Sequence, residues 1–315
     1  MLVILRPKIK IQKLSFVFLQ KNYLHAIVRW KKIAREIKNE LKEVVDSLIL
    51  KGERVPHLAA ILVGDNTASK AYINSKIKSC KEVGYQSTLI ELPESISEEE
   101  LLAYVHTLNN DDNIDGFIVQ LPLPKHINED NILLNISPNK DVDGFHPINL
   151  GKMMLNLPAF ISATPKGIVE IIKRYNIPTH GKHCVVVGRS NIVGMPISIL
   201  MSKKSEFGNC TVTLCHSGTV DLKQYTLQAD ILIAATGKAK LITADMVKDG
   251  VVVIDVGINR IEDADDVRGY HLEGDVDFDA VAQKCSYITP VPGGVGLMTV
   301  ASLLQNTLVA YKNSK

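Results

Sequence analysis

At 315 residues the chain is about twice the usual length of one domain, so two packed lobes around two cores are expected. Thirty-six Lys and Arg against 34 Asp and Glu leave a net charge of +2, and 46% of the residues are hydrophobic. That balance excludes a disordered tail and a highly charged nucleic-acid coat.

The first 35 residues carry nine Lys or Arg, no Asp or Glu and one serine, whereas an organelle presequence favours Arg and Ser. The apolar piece from Leu14 to Leu19 is short for a secretory signal. Residues 1–29 therefore read as a basic extension that a misassigned start explains as well as targeting does, and it is expected to be dispensable for folding. No uninterrupted apolar run approaches the roughly 20 residues of a spanning helix, so no place in a membrane is expected. Five cysteines, at 80, 184, 210, 215 and 285, form no CxxC pair. Neither a disulfide framework nor a zinc ribbon is legible, and a reducing compartment, the cytoplasm, is the expected location.

From Trp30 onward Ile33, Ile37, Leu41, Val44, Val45 and Leu48 recur at helical spacing. The apolar run from His57 to Gly64 reads as a strand, and Thr67 to Val83, with the stripe Ile73, Ile77 and Cys80, as the helix that follows it. Ser87 to Leu92 is strand-like; Ser97 and Glu100 form a capping box for a helix through Leu108; Ile114 to Pro124 is strand-like again. The alternation predicts a parallel sheet covered by helices. Thr164 and Pro165 open a helix through Tyr175, and a domain joint is expected near them. Four nearly continuous apolar runs follow, beginning at His183, Thr211, Ile231 and Val251, of the kind buried on both faces of a parallel sheet. Leu297, Val300, Ala301, Leu304 and Leu308 trace one face of a terminal helix. The fold class is α/β with two lobes, the second a dinucleotide-binding parallel sheet.

Several motifs can carry chemistry. GRSNIVG, Gly188 to Gly194, follows a strand and opens a helix, so its backbone N–H groups are placed to face an anion. Its spacing also suits a plain strand-to-helix turn, but three further strands ending in HS, ATG and DVGIN tilt the reading toward a nucleotide site. Tyr72 and Lys76, four apart on one helix, share a face. A lysine at the rim of an apolar cleft can serve in proton transfer with a phenol beside it, although an isolated YxxxK is also what a solvated helix face has. Short-chain dehydrogenases use YxxxK after their glycine loop, and here it comes before. Gln120 ends a strand just ahead of two prolines. KDVDG, Lys140 to Gly144, packs two acids into a glycine turn; a solvated turn suffices, and without His or Cys at ligand spacing no metal site is expected. TPVPGGVG, Thr289 to Gly296, describes a fixed loop able to approach a flat ligand. His146, His183 and His216 are assigned to packing or hydrogen bonding, and Cys215 to a buried small hydrophobe.

Taken in order, YINSK, VQLPLP, KDVDGFHPINLG, ATPKG, VVVGRSNIVGMP, TVTLCHS, DVGIN, GDVDF and TPVPGGVG resemble the bifunctional methylenetetrahydrofolate dehydrogenase/cyclohydrolase family, over about residues 31 to 312. The resemblance implies a folate-binding catalytic lobe of residues 30–164 and 289–315, with a returning terminal helix, and a Rossmann-like NADP lobe of residues 165–288, in a homodimer. It implies oxidation of 5,10-methylenetetrahydrofolate with NADP, then hydrolysis of the methenyl product to 10-formyltetrahydrofolate, with no metal. Lys76 would be the catalytic lysine, Tyr72 its partner on the folate, Gln120 the group that holds the lysine, and Asp143 a hydrogen-bond partner of the pterin. Pro292, Gly293 and Gly294 would line the folate site, and Gly188, Arg189, Ser190, Ser217 and Ile258 would hold the dinucleotide. NAD-using members carry an extra arginine and an acid where this chain has Ser217 and Asn209, so NADP is expected; Lys203 and Lys204 would add positive charge nearby or form a solvated loop.

Two positions depart from the family pattern. VRWK, Val28 to Lys31, stands where a DGK turn is usual, and Leu297 stands where the loop before the terminal helix usually has proline. The alternatives are another two-lobed NADP oxidoreductase, of the shikimate or amino-acid dehydrogenase type, and a nucleotide-binding scaffold without activity.

Overall fold

The computed structural model describes residues 31–264, 266 and 269–315. The basic leader and Val28 to Trp30 lie outside the described residues. Residues 31–50 form helix α1, which buries Ile33, Ile37, Leu41 and Val45. β1 (His57–Val63) follows, then α2 (Thr67–Val83), β2 (Gln86–Leu92), α3 (Glu98–Asn110) and β3 (Gly116–Val119). The three strands make a parallel sheet in the order β2-β1-β3. α2 starts where the Asn66 side chain accepts from the backbone N–H of Ala68 and Ser69, and it stops at Gly84, whose φ of 83° suits glycine. The capping box of Ser97 and Glu100 is formed. β3 is shorter than the run from Ile114 to Pro124 suggests, because Pro122 has no N–H with which to continue a ladder.

The KDVDG turn closes against β3. Phe117 donates its N–H to Lys140 O at 3.0 Å, and a Cβ on Gly116 would collide with the Val142 side chain. After α4 (Glu129–Asn135) and α5 (Pro147–Met154), α6 (Ala163–Arg174) leads into the second sheet. That sheet is parallel, in the order β10-β7-β6-β4-β5, with β4 (His183–Val187), β5 (Thr211–Cys215), β6 (Ile231–Ala234), β7 (Val251–Asp255) and β10 (Cys285–Ile288). α7 (Gly194–Ser202) joins β4 to β5 and α8 (Leu222–Thr226) joins β5 to β6. β4, from Cys184 on, and all of β6 and β7 are the buried strands expected. β5 is not, because it lies at the sheet edge and Thr211 is exposed. An antiparallel hairpin, β8 (Asn259–Glu262) with β9 (Tyr270–Glu273), and the short helix α9 (Phe278–Val281) complete this half.

α10 (Val295–Asn313) returns across the molecule. It crosses α6 where Gly167 meets the Met298 backbone so closely that a Cβ would come to 3.0 Å. The core accordingly differs from the two separate cores expected. One apolar cluster runs from Leu58 and Ala60 of the first sheet through Ile168, Met298 and Leu304 to Val186 and Ile233 of the second, because α6 and α10 pack against each other between the two sheets. Two smaller clusters fill the outer faces, one around Ile61, Leu101 and Phe117, the other around Val185, Leu232 and Val253. The end of α10 is clasped to the first lobe. Arg54 makes two bonds of 2.7 Å to Asp115, whose side chain is fully buried, and the Tyr311 hydroxyl donates to Arg54 O at 2.8 Å. Among the described residues no helix is long and apolar enough to cross a membrane.

Candidate active site between the two sheets

A cavity of about 490 Å³ opens at the carboxyl ends of the strands, walled by α2, the segment after β3, the KDVDG turn, the start of α6, the loop before α7 and the first turns of α10. Tyr72, Lys76, Gln120, Asp143 and Ile258 all line it. Lys76 is only 8% exposed. Its Nζ donates to Gln120 Oε1 at 3.2 Å and lies 3.9 Å from Asp143 Oδ2. Gln120 Nε2 donates to Leu121 O at 2.7 Å, which fixes the amide with its oxygen toward the lysine. Partial burial pushes the Tyr72 phenol above its usual range, so it stays protonated at neutral pH. An amine, its acceptor, a carboxylate and a phenol therefore converge on a largely apolar cleft.

The two acids of the KDVDG turn have separate surroundings, and the solvated-turn alternative fails. Asp141 is 2% exposed and accepts from the N–H groups of Gly144, Phe145 and His146 and from Asn149 Nδ2; burial pushes its carboxyl up to about 6. It holds the turn, leaving Asp143 to face Lys76. Asn306 of α10 pins the same turn, donating to Val142 O at 2.8 Å and Ile161 O at 2.9 Å while accepting from Lys166 Nζ at 2.7 Å. Burial pushes Lys166 down to about 8. An asparagine inside an apolar helical run was the one sequence signal for this anchor. Asn66, Ser69, Phe145 and Thr299 also line the cavity and were not singled out from the sequence, and Thr164, read there as a helix start, lines it too; nothing in their local pattern distinguishes them from ordinary cap or core positions.

At the second sheet, chain order reverses between β4 and β6, with β5 on one side of β4 and β6 on the other. Such a crevice is where parallel sheets hold nucleotides. Gly188 sits there with φ 119°, and a Cβ on it would collide with the carbonyl of Ala235 after β6; one on Gly194 would strike the carbonyl of Gly188. The loop backbone thus closes on itself and on the neighbouring strand end. Ser190 Oγ accepts from the N–H of Val193 at 3.2 Å and of Gly194 at 3.4 Å. Those two amides are already engaged and do not face an anion, but the Ser190 hydroxyl proton remains to donate. Arg189, Ser190 and Ser217 are exposed beside this crevice, and residues 216 to 220 hold no carboxylate.

Other expectations shift. Pro292, Gly293 and Gly294 are not on the cavity wall; Val295 and Gly296, just beyond them, are. Ile192 and Val193 of the glycine loop reach the same cavity, and so do Val256 and Ile258 after β7, so Ile258 stands between the two sites. Leu297 donates its N–H to Gly294 O at 3.2 Å, a bond that proline at that position lacks. Lys203 donates to Met153 O at 2.7 Å and ties α7 to the end of α5. Asn209 supports the local turn through Ser205 O. His146 caps α5, His183 bonds Thr213 and His216 accepts from Gly218 N–H. Cys215 is 1% exposed, with its thiol raised by burial.

Residues 28–143 match the family described as tetrahydrofolate dehydrogenase/cyclohydrolase, catalytic domain, and residues 162–315 match its NAD(P)-binding domain. The chain is 59% identical to the bifunctional protein FolD of Porphyromonas gingivalis over 90% of this chain and 95% of that one. Its fold is similar to the bifunctional FolD methylenetetrahydrofolate dehydrogenase/cyclohydrolase structure from Campylobacter jejuni (TM-score 0.84, 50% identity, 90% and 97% of the two chains). It is similar too to the Trypanosoma brucei enzyme complexed with NADP cofactor and inhibitor (TM-score 0.86, 35% identity, 90% and 96%). With both halves matched and the identity spread over nine-tenths of its length, the chain belongs to the tetrahydrofolate dehydrogenase/cyclohydrolase family.

Proposed function

We propose that this chain oxidises 5,10-methylenetetrahydrofolate with NADP and hydrolyses the methenyl product to 10-formyltetrahydrofolate, both at the cavity that holds Lys76. The observation that carries this reading is the convergence of Lys76, Gln120 and Asp143 in one cavity that Ile192 and Val193 of the glycine loop also line. The alternative of a shikimate or amino-acid dehydrogenase gives way to the family match over both halves of the chain.

The residues present fit a dinucleotide. Gly188, lacking a Cβ, lets the loop lie directly against the Ala235 carbonyl at the crevice, α7 begins behind the loop, and Arg189, Ser190 and Ser217 would hold phosphate groups, with charge-assisted bonds from Arg189. NADP, when bound, supplies the hydride acceptor. The chain then has two tasks. Tyr72 and Asp143 orient the folate ring, and Val119, Val256 and Ile258 give it an apolar wall to pack against. For hydrolysis, a water attacks the methenyl carbon and gives its proton to the Lys76 amine held by Gln120. The bond from that carbon to folate N5 then breaks, N5 gains a proton as the new hydroxyl loses its own to become the formyl carbonyl, and the proton taken by Lys76 is the one released overall.

We assign residues 30–164 and 289–315 to the folate lobe and 165–288 to the NADP lobe. Support comes from α10, which supplies Val295, Gly296, Thr299 and Val300 to the cavity and ends clasped to Arg54 and Asp115. Two identical subunits in the cytoplasm are the proposed setting, on the family resemblance and on five unpaired thiols. Light scattering that gives a single chain's 34.7 kDa would remove the dimer.

The deciding experiment follows NADPH and methenyl absorbance with methylenetetrahydrofolate as substrate. Absence of both overturns the reading. NADP should exceed NAD in kcat/KM by about tenfold or more, equivalent to about 1.4 kcal/mol from 2′-phosphate contacts. Equal values, or NAD activity that needs both magnesium and phosphate, would overturn the roles of Arg189, Ser190 and Ser217.

A further inference from the structure

Asp255 of DVGIN and Asp275 of GDVDF take no part in the chemistry above, yet each is a buried carboxylate beside the dinucleotide crevice. Asp275 is 0% exposed and Asp255 3% exposed. Asp275 Oδ2 accepts from the N–H groups of Thr236 and Gly237, and its Oδ1 from Lys238 N–H and Asn259 Nδ2, both at 3.0 Å. Three consecutive amides of the turn after β6 are thus gathered on one carboxylate. Asp255, at the end of β7, accepts from the N–H of Gly257 at 2.9 Å and from those of Asp275 and Val276 at 3.0 Å. A Cβ on Gly257 would collide with the Asp275 carboxylate, and one on Gly274 with that of Asp255, so the two glycines let these segments close around the acids.

The network joins three segments that meet at the crevice. The turn after β6 begins with Ala235, the residue against which Gly188 is packed. The segment after β7 carries Val256 and Ile258, which wall the cavity. Thr289, at the head of the TPVPGG loop, is 0% exposed and accepts the Asp255 N–H at 2.7 Å. None of these bonds reaches Lys76, Gln120 or Asp143, which are held by the first lobe and α10.

We infer that Asp275 is a positioning residue for the dinucleotide: it fixes the turn from Thr236 to Lys238 and, through Asn259 and Asp255, the wall from Gly257 to Ile258 in the shape that admits the cofactor. This deepens the NADP reading and rests on it. It separates the two activities, because hydrolysis of methenyltetrahydrofolate needs no dinucleotide whereas oxidation does.

The test uses the full chain with Asp275→Asn. An amide nitrogen then confronts two N–H donors on one side of the group, and the turn must reopen. The Kd for NADPH, read by fluorescence titration, and the KM for NADP should each rise about tenfold or more, while cyclohydrolase kcat and KM measured without dinucleotide stay within about twofold. Asn259→Ala, which removes one of the four bonds, should move the same two constants in the same direction by a smaller factor, and it serves if the first variant does not fold. NADPH affinity unchanged in either folded variant overturns the inference. So does a cyclohydrolase rate that falls in step with the dehydrogenase, which would mark Asp275 as a support of the whole fold. A wild-type chain that binds no NADPH is a different result, and it removes the parent reading together with this one.

Discussion

Replacing Lys76 by methionine should divide the two activities. Among the residues on the cavity wall Lys76 supplies the amine, with Tyr72 and Asp143 as the other ionisable groups. Losing a positioned proton acceptor costs a hydrolytic step about 10²- to 10⁴-fold, and Asp143, 3.9 Å from the departed nitrogen, sets the residual rate. Hydride transfer depends on alignment of two rings and not on a proton acceptor, so dehydrogenase activity should stay within about tenfold. The fold should tolerate the change. Gln120 loses one hydrogen bond, worth about 1 kcal/mol, and water in the cavity replaces the donor, so the melting temperature should move by no more than about 4 °C. The assay follows decay of methenyl absorbance without NADP, NADPH formation from methylenetetrahydrofolate, and thermal unfolding on one preparation. Equal and total loss of both activities, with folate binding intact, would refute the division of labour.

Gln120→Ala should slow the same hydrolytic step by a smaller factor, about tenfold; a change confined to NADP affinity would misplace Gln120. Gly188→Ala forces a Cβ into the Ala235 carbonyl at a φ of 119°, so NADP affinity should fall by about two orders of magnitude or more, and an unchanged KM would mean the loop does not approach the cofactor. Arg54→Met strands the fully buried Asp115 carboxylate; because Arg54 itself is 38% exposed, the loss should sit at the low end for such pairs, about 3 kcal/mol in urea unfolding. Burial pushes the Asp255 carboxyl up to about 6, so the folded state holds its proton more tightly than the unfolded chain. That contribution to stability is complete below the ordinary carboxylate range and is lost as pH rises through 6. Between pH 7 and pH 5 the wild type should therefore gain on the order of 1 kcal/mol relative to Asp255→Asn, and identical pH dependence in urea midpoints would contradict it.

The parallel sheets were legible because their strands announce themselves by apolar runs and their helices by a stripe or cap, as Ser97 does for α3. β10 and the β8-β9 hairpin were not, since CSYI and NRIE are short and lack a clear period. Tyr72, Lys76, Gln120 and Asp143, which the resemblance singled out through YINSK, VQLP and DVDG, do line one cavity. Which of two adjacent acids faces the lysine is a different kind of fact. Asp141 and Asp143 are both carboxylates in one turn, and only the three-dimensional closure of Gly144 against Ser162 buries the first and presents the second. Burial of Asp255 and Asp275 is equally hidden, because their partners are backbone amides, which leave no trace in residue type.

The return of α10 sets an order of assembly during synthesis. Its residues complete the cluster around Leu58, Ala60 and Ile168, but they leave the ribosome roughly 180 residues after β3, a delay of roughly 10 to 35 s at common elongation rates. Through that interval α1 and α2 already pack with Leu58, Ala60 and Leu62, but the part of the inner face that α10 covers stays open. The first lobe to be begun is thus completed late, and a nascent chain of this enzyme exposes an incompletely covered apolar face until α10 arrives.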